Sequence, residues 1–304
     1  MLRRLWKPWF VYRPTQLIRR LLAAQDRSGF RPLATSWGVP IVADPARAIG
    51  RSILTTGVHD IAVSEALARL IAPGDTVLDA GANVGYFTIL SAVAAGHAGQ
   101  VVAFEPHPGL FEVLQQNVAS VSGRLKVAAI DLHNSALGER AGTGELHVPP
   151  DFAANDGLAR VTPPVAAGRR PDGRAIRVPV ETLDQTLGPA TAAVLKLDVE
   201  GFESSVLRGA AAALAEKRIH HVVFEEHQPA GSEAVQVLRE SGYHIFSIGW
   251  SVRGIVVRPM QSRSLARAYE APSFIATVAP DEMLSRCRRR GWMVLSDRLV
   301  KRCS

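Results

Sequence analysis

The sequence predicts an α/β chain on a doubly wound, mostly parallel sheet with a β-rich insertion, and three observations lead there. Short apolar runs alternate with helical periodicity over residues 60–130 and again over 193–248. The connections are short and the strands are apolar throughout, as strands covered on both faces are. Between residues 131 and 189 the rhythm changes to short strand candidates, 144–148 and 175–180, around a Pro-, Gly- and Arg-rich stretch at 163–174.

Taken in order, residues 1–50 hold Pro8, Pro14, Pro32, Pro40 and Pro45 among Trp6, Trp9 and Trp37. They read as an arm laid on the main domain, with helical periodicity only at 15–24. Apolar Ile61, Ala62, Leu67, Leu70 and Ile71 predict an amphipathic helix over 60–71, closed by the turn Pro73-Gly74-Asp75. Next come a strand at 76–79, a loop at 80–84, a helix at 85–95, a strand at 100–105, a helix at 108–121 and a third strand at 125–130. After the insertion the pattern predicts strand 193–197, helix 203–216, strand 220–224, helix 232–241, strand 243–248 and a late strand at 273–278. The expected division is an arm over 1–50, a main domain over 51–280 with its insertion at about 139–190, and a basic C-terminal helix or tail over 281–304.

A chain of 304 residues with 47% hydrophobic content can bury a proper core. Lys and Arg outnumber Asp and Glu by 35 to 28, and the excess gathers at residues 1–20 and 286–302. Such ends can bind nucleic acid, an anionic membrane or an acidic substrate, but a solvated surface is the commoner meaning, and no nucleic-acid role is inferred. Cys287 and Cys303 lack the paired spacing of a zinc site or disulfide framework, which fits a reducing, cytoplasmic setting. The basic start has no apolar stretch of signal-peptide length after it. The uncharged run at 80–104 is broken by Gly81, Asn83, Gly85, Gly96 and Gly99, so it is not a membrane span.

The chemistry begins in the loop Asp79-Ala80-Gly81-Ala82-Asn83-Val84-Gly85, between a strand and a helix. Gly81 allows the backbone to pass close to a ligand, and Gly85 allows close packing of helix and strand. The loop is G-x-x-x-G rather than G-x-G-x-x-G, and no Walker lysine follows. A carboxylate at Asp79 would repel a pyrophosphate but suits a cofactor carrying ammonium and sulfonium charge. Glu105 ends the next strand twenty residues after Gly85, where a carboxylate can take both ribose hydroxyls of an adenosine, and Pro106 stops that strand.

A third constellation is Lys196-Leu197-Asp198-Val199-Glu200-Gly201-Phe202-Glu203, a buried strand ending in carboxylates. Asp198 or Glu200 can serve as a base or hydroxyl anchor. The structural alternatives are a Lys196 carboxylate pair inside the sheet and helix N-cap or first-turn charges from Asp198, Glu200 and Glu203, a structural role being the favoured reading for Glu203. Glu225-Glu226-His227 ends the next strand, too loosely arranged for a metal to be expected. His59, His97, His107 and His133 lack partner spacing and are assigned nothing catalytic.

Residues 73–88, Ala103-Phe104-Glu105-Pro106-His107-Pro108, Asn117, Ser135-Ala136-Leu137-Gly138 and 195–201 together resemble the FkbM-type methyltransferase family. The likeness covers about residues 60–226, with Ala80 where Val is common and His107 where Asn is common. The resemblance implies a class I, Rossmann-like fold and S-adenosylmethionine as cofactor, held by Asp79, Gly81, Asn83, Gly85, Tyr86, Phe87, Glu105 and Pro106. It also implies O-methylation of a hydroxyl on a sugar, glycolipid or secondary metabolite, and points to Asp198 and Glu200 for catalysis. The competing readings are an NAD-dependent oxidoreductase, disfavoured by the missing G-x-G-x-x-G, and a noncatalytic binding module. The expected partner is a small-molecule or saccharide acceptor; the oligomeric state is left open. Arg3, Arg4, Lys7, Arg13, Arg19 and Arg20, beside Trp6, Trp9, Phe10 and Leu21, suggest a peripheral contact with an anionic membrane, against the alternative that the arm packs on the domain.

Overall fold

The computed structural model describes residues 7–13, 29–148, 160–162, 174–260 and 272–302. The expected helix at 15–24, most of the stretch at 163–174 and Arg3, Arg4, Trp6, Arg19, Arg20 and Leu21 lie outside them.

The chain runs through α1 (Pro8–Tyr12), an antiparallel hairpin of β1 (Arg31–Ala34) and β2 (Pro40–Ala43), α2 (Ala48–Thr56) and α3 (Ile61–Leu70). The alternation follows: β3 (Thr76–Ala80), α4 (Tyr86–Ala95), β4 (Gln100–Phe104), α5 (Pro108–Ser122) and β5 (Ala129–His133). A small second sheet comes next, from β6 (Ala136–Leu137), β7 (Gly142–Val148), β8 (Arg160–Thr162) and β9 (Arg174–Glu181). The chain then continues through α6 (Leu183–Leu187), β10 (Ala192–Leu197), α7 (Glu203–Arg208), α8 (Ala211–Ala215), β11 (Ile219–Glu225), α9 (Glu233–Glu240), β12 (His244–Ser251), β13 (Gly254–Pro259), β14 (Ser273–Thr277) and α10 (Pro280–Cys287).

Among the described residues the main sheet has the order β13-β12-β14-β11-β10-β3-β4-β5. The five strands from β11 to β5 are parallel, while β14 runs antiparallel between β11 and β12. The chain builds outward from β3 in one direction and from β10 in the other. The switch point therefore lies between β3 and β10, where open α/β sheets leave a crevice at the carboxyl ends of the strands.

Both faces of the sheet are covered, which explains the uniformly apolar strands. Val77, Val101 and Val194 join the core under α3 and α4, while Leu78, Ala80, Leu195 and Leu197 join a second core under α7, α8 and α9. The register Lys196↔Asp79 places two charged residues side by side on the α4 face, between apolar neighbours. That pair belongs to the site.

Two element boundaries differ from expectation. The third strand begins at Ala129 rather than at residue 125, because pairing with β4 starts at Gln100↔Ala129; Leu125 and Val127 are half-buried before the ladder begins. The expected helix over 203–216 breaks into α7 and α8 at Gly209, where a Cβ would lie 2.0 Å from the Gly138 carbonyl oxygen. The hairpins β1–β2 and β12–β13, and helix α2, were not foreseen. No helix among the described residues is long and apolar enough to cross a membrane.

Candidate active site

A cleft of about 210 Å³ opens at the switch point. Gly81, Asn83, Tyr86, Phe87, Glu105, Pro106, Asp198 and Glu200 all line it. Asp79 and Gly85 do not, and the structure explains both.

The loop after β3 is held by its backbone. Gly81 and Ala82 both donate N–H to the carbonyl of Phe104, at 3.0 and 2.9 Å, folding the loop over the end of β4. Gly81 has φ +81°, and a Cβ there would sit 1.9 Å from the Asp198 carbonyl oxygen. Its missing side chain thus makes room for the neighbouring strand end as much as for a ligand. At Gly85 a Cβ would meet Leu114 Cδ1 at 2.5 Å, so this glycine admits α5. Asn83 takes left-handed backbone, φ +52°, a conformation Asn tolerates better than most residues. Buried Asn117 on α5 ties the loop to the hairpin, donating to the carbonyls of Val84 and Val42 and accepting the N–H of Val42.

Glu105 is the best-oriented carboxylate of the cleft. Its Oε2 accepts the N–H of Asn83 and its Oε1 that of His107, each at 2.8 Å. Each oxygen keeps a further lone pair for a donor in the cleft. Burial pushes its pKa up to about 7, although both backbone hydrogen bonds and Lys196 oppose the shift.

Asp79 corrects the expected role. It is fully buried behind the loop, with Oδ2 accepting from Thr88 Oγ1 at 2.6 Å and Oδ1 lying 3.4 Å from Lys196 Nζ. Its charge answers Lys196 rather than a ligand's cation. Lys196 also lies 3.6 Å from Asp198 and donates to the Gly81 carbonyl at 2.7 Å. Burial opposes its charge, but Asp79 and Asp198 outweigh burial and hold the ammonium protonated. Its Nζ sits 5.2 Å from the centre of the Phe87 ring, a cation–π distance.

Asp198 is 35% exposed and faces the cleft beside Lys196. Glu200 follows in left-handed backbone, φ +54°. Glu203 stands in the first turn of α7, as favoured from the sequence, but its carboxylate accepts the N–H groups of Val199 and Gly201 in the preceding loop rather than capping the helix. Tyr86 lies in the wall with its hydroxyl taken by Trp37 Nε1 and Ser64, both at 3.1 Å.

Two residues passed over in the sequence also line the cleft. His59 precedes α3, with Nδ1 3.0 Å from Ser52 Oγ and its ring 5.6 Å from that of Phe87. Burial drives its pKa down to about 4, so the imidazole is neutral at pH 7. Glu225, at the end of β11, is held well above the carboxylate range by burial and by the neighbouring carboxylates of Asp198, Asp60 and Glu200. It keeps its proton at neutral pH and can donate a hydrogen bond. The signal available for Glu225 was its place at the end of the strand adjacent to β10; His59 comes from outside the strand-end pattern. No group of three His, Cys, Asp or Glu among the described residues is arranged to hold a metal ion.

The arrangement thus offers a fixed carboxylate at one end of a cleft, and at the other a cluster of acceptors and one protonated carboxyl around a buried ammonium. The family model described as the methyltransferase FkbM domain matches residues 79–245. The 31-O-demethyl-FK506 methyltransferase FkbM of Streptomyces tacrolimicus is 31% identical over 206 residues, covering 57% of this chain and 74% of that protein. Solved structures that align with the chain include a precorrin-6y C5,15-methyltransferase from Geobacter metallireducens, at 11% identity and TM-score 0.41, covering 71% of this chain and 87% of that one. Another is a methyltransferase FkbM from Methylobacillus flagellatus, at 14% identity and TM-score 0.41, covering 89% and 61%. The family match takes in both the loop after β3 and the carboxylates after β10, and the chain belongs to the FkbM methyltransferase family.

Proposed function

We propose that the protein transfers a methyl group from S-adenosylmethionine to a hydroxyl of a small molecule or saccharide. The observation that carries this reading is the pairing, in one cleft, of the doubly anchored Glu105 carboxylate with the solvent-facing Asp198 beside Lys196.

The residues fit the cofactor. Glu105 would accept the ribose hydroxyls, and the Gly81–Asn83 backbone, Phe87 and Pro106 would flank the nucleoside. The absence of a phosphate-binding glycine pattern agrees with a cofactor that carries no phosphate. Bound there, S-adenosylmethionine supplies a methyl carbon activated by a sulfonium.

The chain's own residues have two further tasks, to orient the acceptor hydroxyl and to receive its proton. Asp198 suits both, since it lies 3.6 Å from the Lys196 ammonium and is open to the cleft. Glu200 and neutral His59 are the other acceptors on that wall, and protonated Glu225 can donate to an acceptor oxygen. Such a mixture of acceptors and one donor favours a hydroxylated acceptor over a strongly acidic one. The Streptomyces relative carries a 31-O-demethyl substrate in its name, which agrees with oxygen as the nucleophile.

Incubating the protein with methyl-labelled S-adenosylmethionine and a panel of sugars, glycolipids and hydroxylated metabolites, with products located by NMR, tests the proposal. A methyl ether is the expected product. Methylation found on nitrogen or carbon would overturn the O-methyl assignment.

A further inference from the structure

At the opposite edge of the sheet, where β3 begins, lies a second hollow, of about 640 Å³. It forms where the turn at 71–73 meets the segment after α10, and is lined by Arg69, Arg286, Arg289, Arg290 and Arg298, with Trp292 in its wall. No Asp or Glu is among the lining residues.

Five guanidinium groups around one hollow repel one another unless an anion answers them. Two are already answered. Arg69 donates to Glu65 Oε1 at 2.7 Å and to the carbonyls of Gly291 and Arg286 at 2.7 and 3.3 Å. Arg286 donates to Glu282 Oε1 and to the Leu70 carbonyl, both at 2.5 Å. Buried Glu65 in turn accepts the N–H groups of Met293 and Val294, which pins the segment carrying the remaining arginines. Arg289, Arg290 and Arg298 are exposed, and their guanidinium groups make no ion pair or hydrogen bond among the described residues. The dipole of α10 accounts for basic residues just past its C-terminus. It does not account for Arg298, which reaches the same hollow from the following segment.

We propose that this hollow binds a phosphate-bearing ligand, either a free oligophosphate or a phospholipid headgroup. All five cations are arginines, whose planar forks match phosphate oxygens two at a time. A lipid source has additional support at the surface nearby. Val11 and Tyr12 of α1 are 47% and 46% exposed, and Arg13, which follows them, donates from Nε to the Leu295 carbonyl at 3.3 Å. Exposed apolar residues therefore lie beside the segment that carries Arg298, as a contact with an anionic membrane requires. This inference does not depend on the proposed methyl transfer, because the two hollows lie at opposite edges of the sheet.

The test titrates the full chain calorimetrically with pyrophosphate, and sediments it with phosphatidylcholine vesicles with and without phosphatidylglycerol, at low and high salt. The wild-type protein is expected to bind pyrophosphate saturably or to sediment only with the anionic vesicles, more weakly at high salt. Pyrophosphate binding identifies the soluble source; binding to anionic vesicles alone identifies the headgroup in its bilayer. R289S/R290S/R298S should weaken whichever binding is seen by about threefold for each guanidinium, roughly thirtyfold in all. The triple lysine variant, with charge kept and forks lost, should fall between. Should the triple serine variant fail to fold, Arg298→Ser alone is read at about threefold. Absence of wild-type binding to both probes, or undiminished binding by the serine variants, overturns the proposal.

Discussion

Replacing Lys196 by Met probes the charge pair on which the cleft is built. The ammonium lies in the sheet, 3.4 Å from Asp79 and 3.6 Å from Asp198, and donates to the Gly81 carbonyl. Without it Asp79, which is fully buried, keeps Thr88 as its hydrogen-bond partner but loses its countercharge. Breaking a buried pair from one side costs roughly 3–5 kcal/mol. Asp198 contributes little to this loss, because it is open to water and rehydrates. At about 2–4 °C per kcal/mol, the melting temperature should fall by roughly 6–20 °C. Asp79→Asn combined with Lys196→Met removes both charges and should recover a good part of the loss, a coupling that a double-mutant cycle in urea measures directly. A loss below about 1 kcal/mol for Lys196→Met, or a double variant as unstable as the sum of the singles, would refute the pair's role.

Three further outcomes are expected. Gly81→Val should destabilise the fold as well as weaken cofactor binding, because its Cβ would collide with the Asp198 carbonyl; a normal melting curve would place the strain elsewhere. Asp198→Asn should keep cofactor affinity and melting temperature while turnover falls about 10²–10⁴-fold, and Glu200→Gln measured beside it apportions the role; full activity in both would remove this wall from the chemistry. Glu105 carries a folded pKa of about 7 against an ordinary 4.5, so the folded state retains a proton that the unfolded chain releases. Its contribution to stability is full below about pH 4.5 and is lost as pH rises to about 7, up to roughly 3 kcal/mol, and Glu105→Gln should flatten that part of a stability-against-pH curve.

What could be read in the sequence was set by local patterns. Apolar runs with short connections marked β3, β4, β10 and β11, because strands covered on both faces leave little room for polar residues. The place of Gly81, Glu105 and Asp198 on the cleft was legible because each lies at the carboxyl end of a strand, where open α/β sheets leave a crevice. The role of Asp79 was not. Its partnership with Lys196 arises from the cross-strand register of β3 and β10, residues more than a hundred positions apart, which no local spacing reveals. His59 was missed for a similar reason, since it reaches the cleft from the turn before α3 and meets Phe87 only through tertiary packing. The edge hairpin β12–β13 was hidden by weak alternation in a half-buried strand, and the break between α7 and α8 by the contact of Gly209 with Gly138, which is again nonlocal.

The central claim is that this cleft holds S-adenosylmethionine with Glu105 on its ribose. Calorimetric titration of wild-type protein and Glu105→Gln with S-adenosylmethionine, S-adenosylhomocysteine and NAD tests it most directly. Gln retains the shape of the side chain while removing its charge. Both methyl-cycle ligands should bind the wild-type protein with one site per chain and NAD should not, while Glu105→Gln should weaken their binding by about 1–3 kcal/mol, the scale of lost charge-assisted hydrogen bonds. Binding of NAD alone, or of none of the three, would contradict the account, and unchanged affinity in Glu105→Gln would move the ribose contact to another residue.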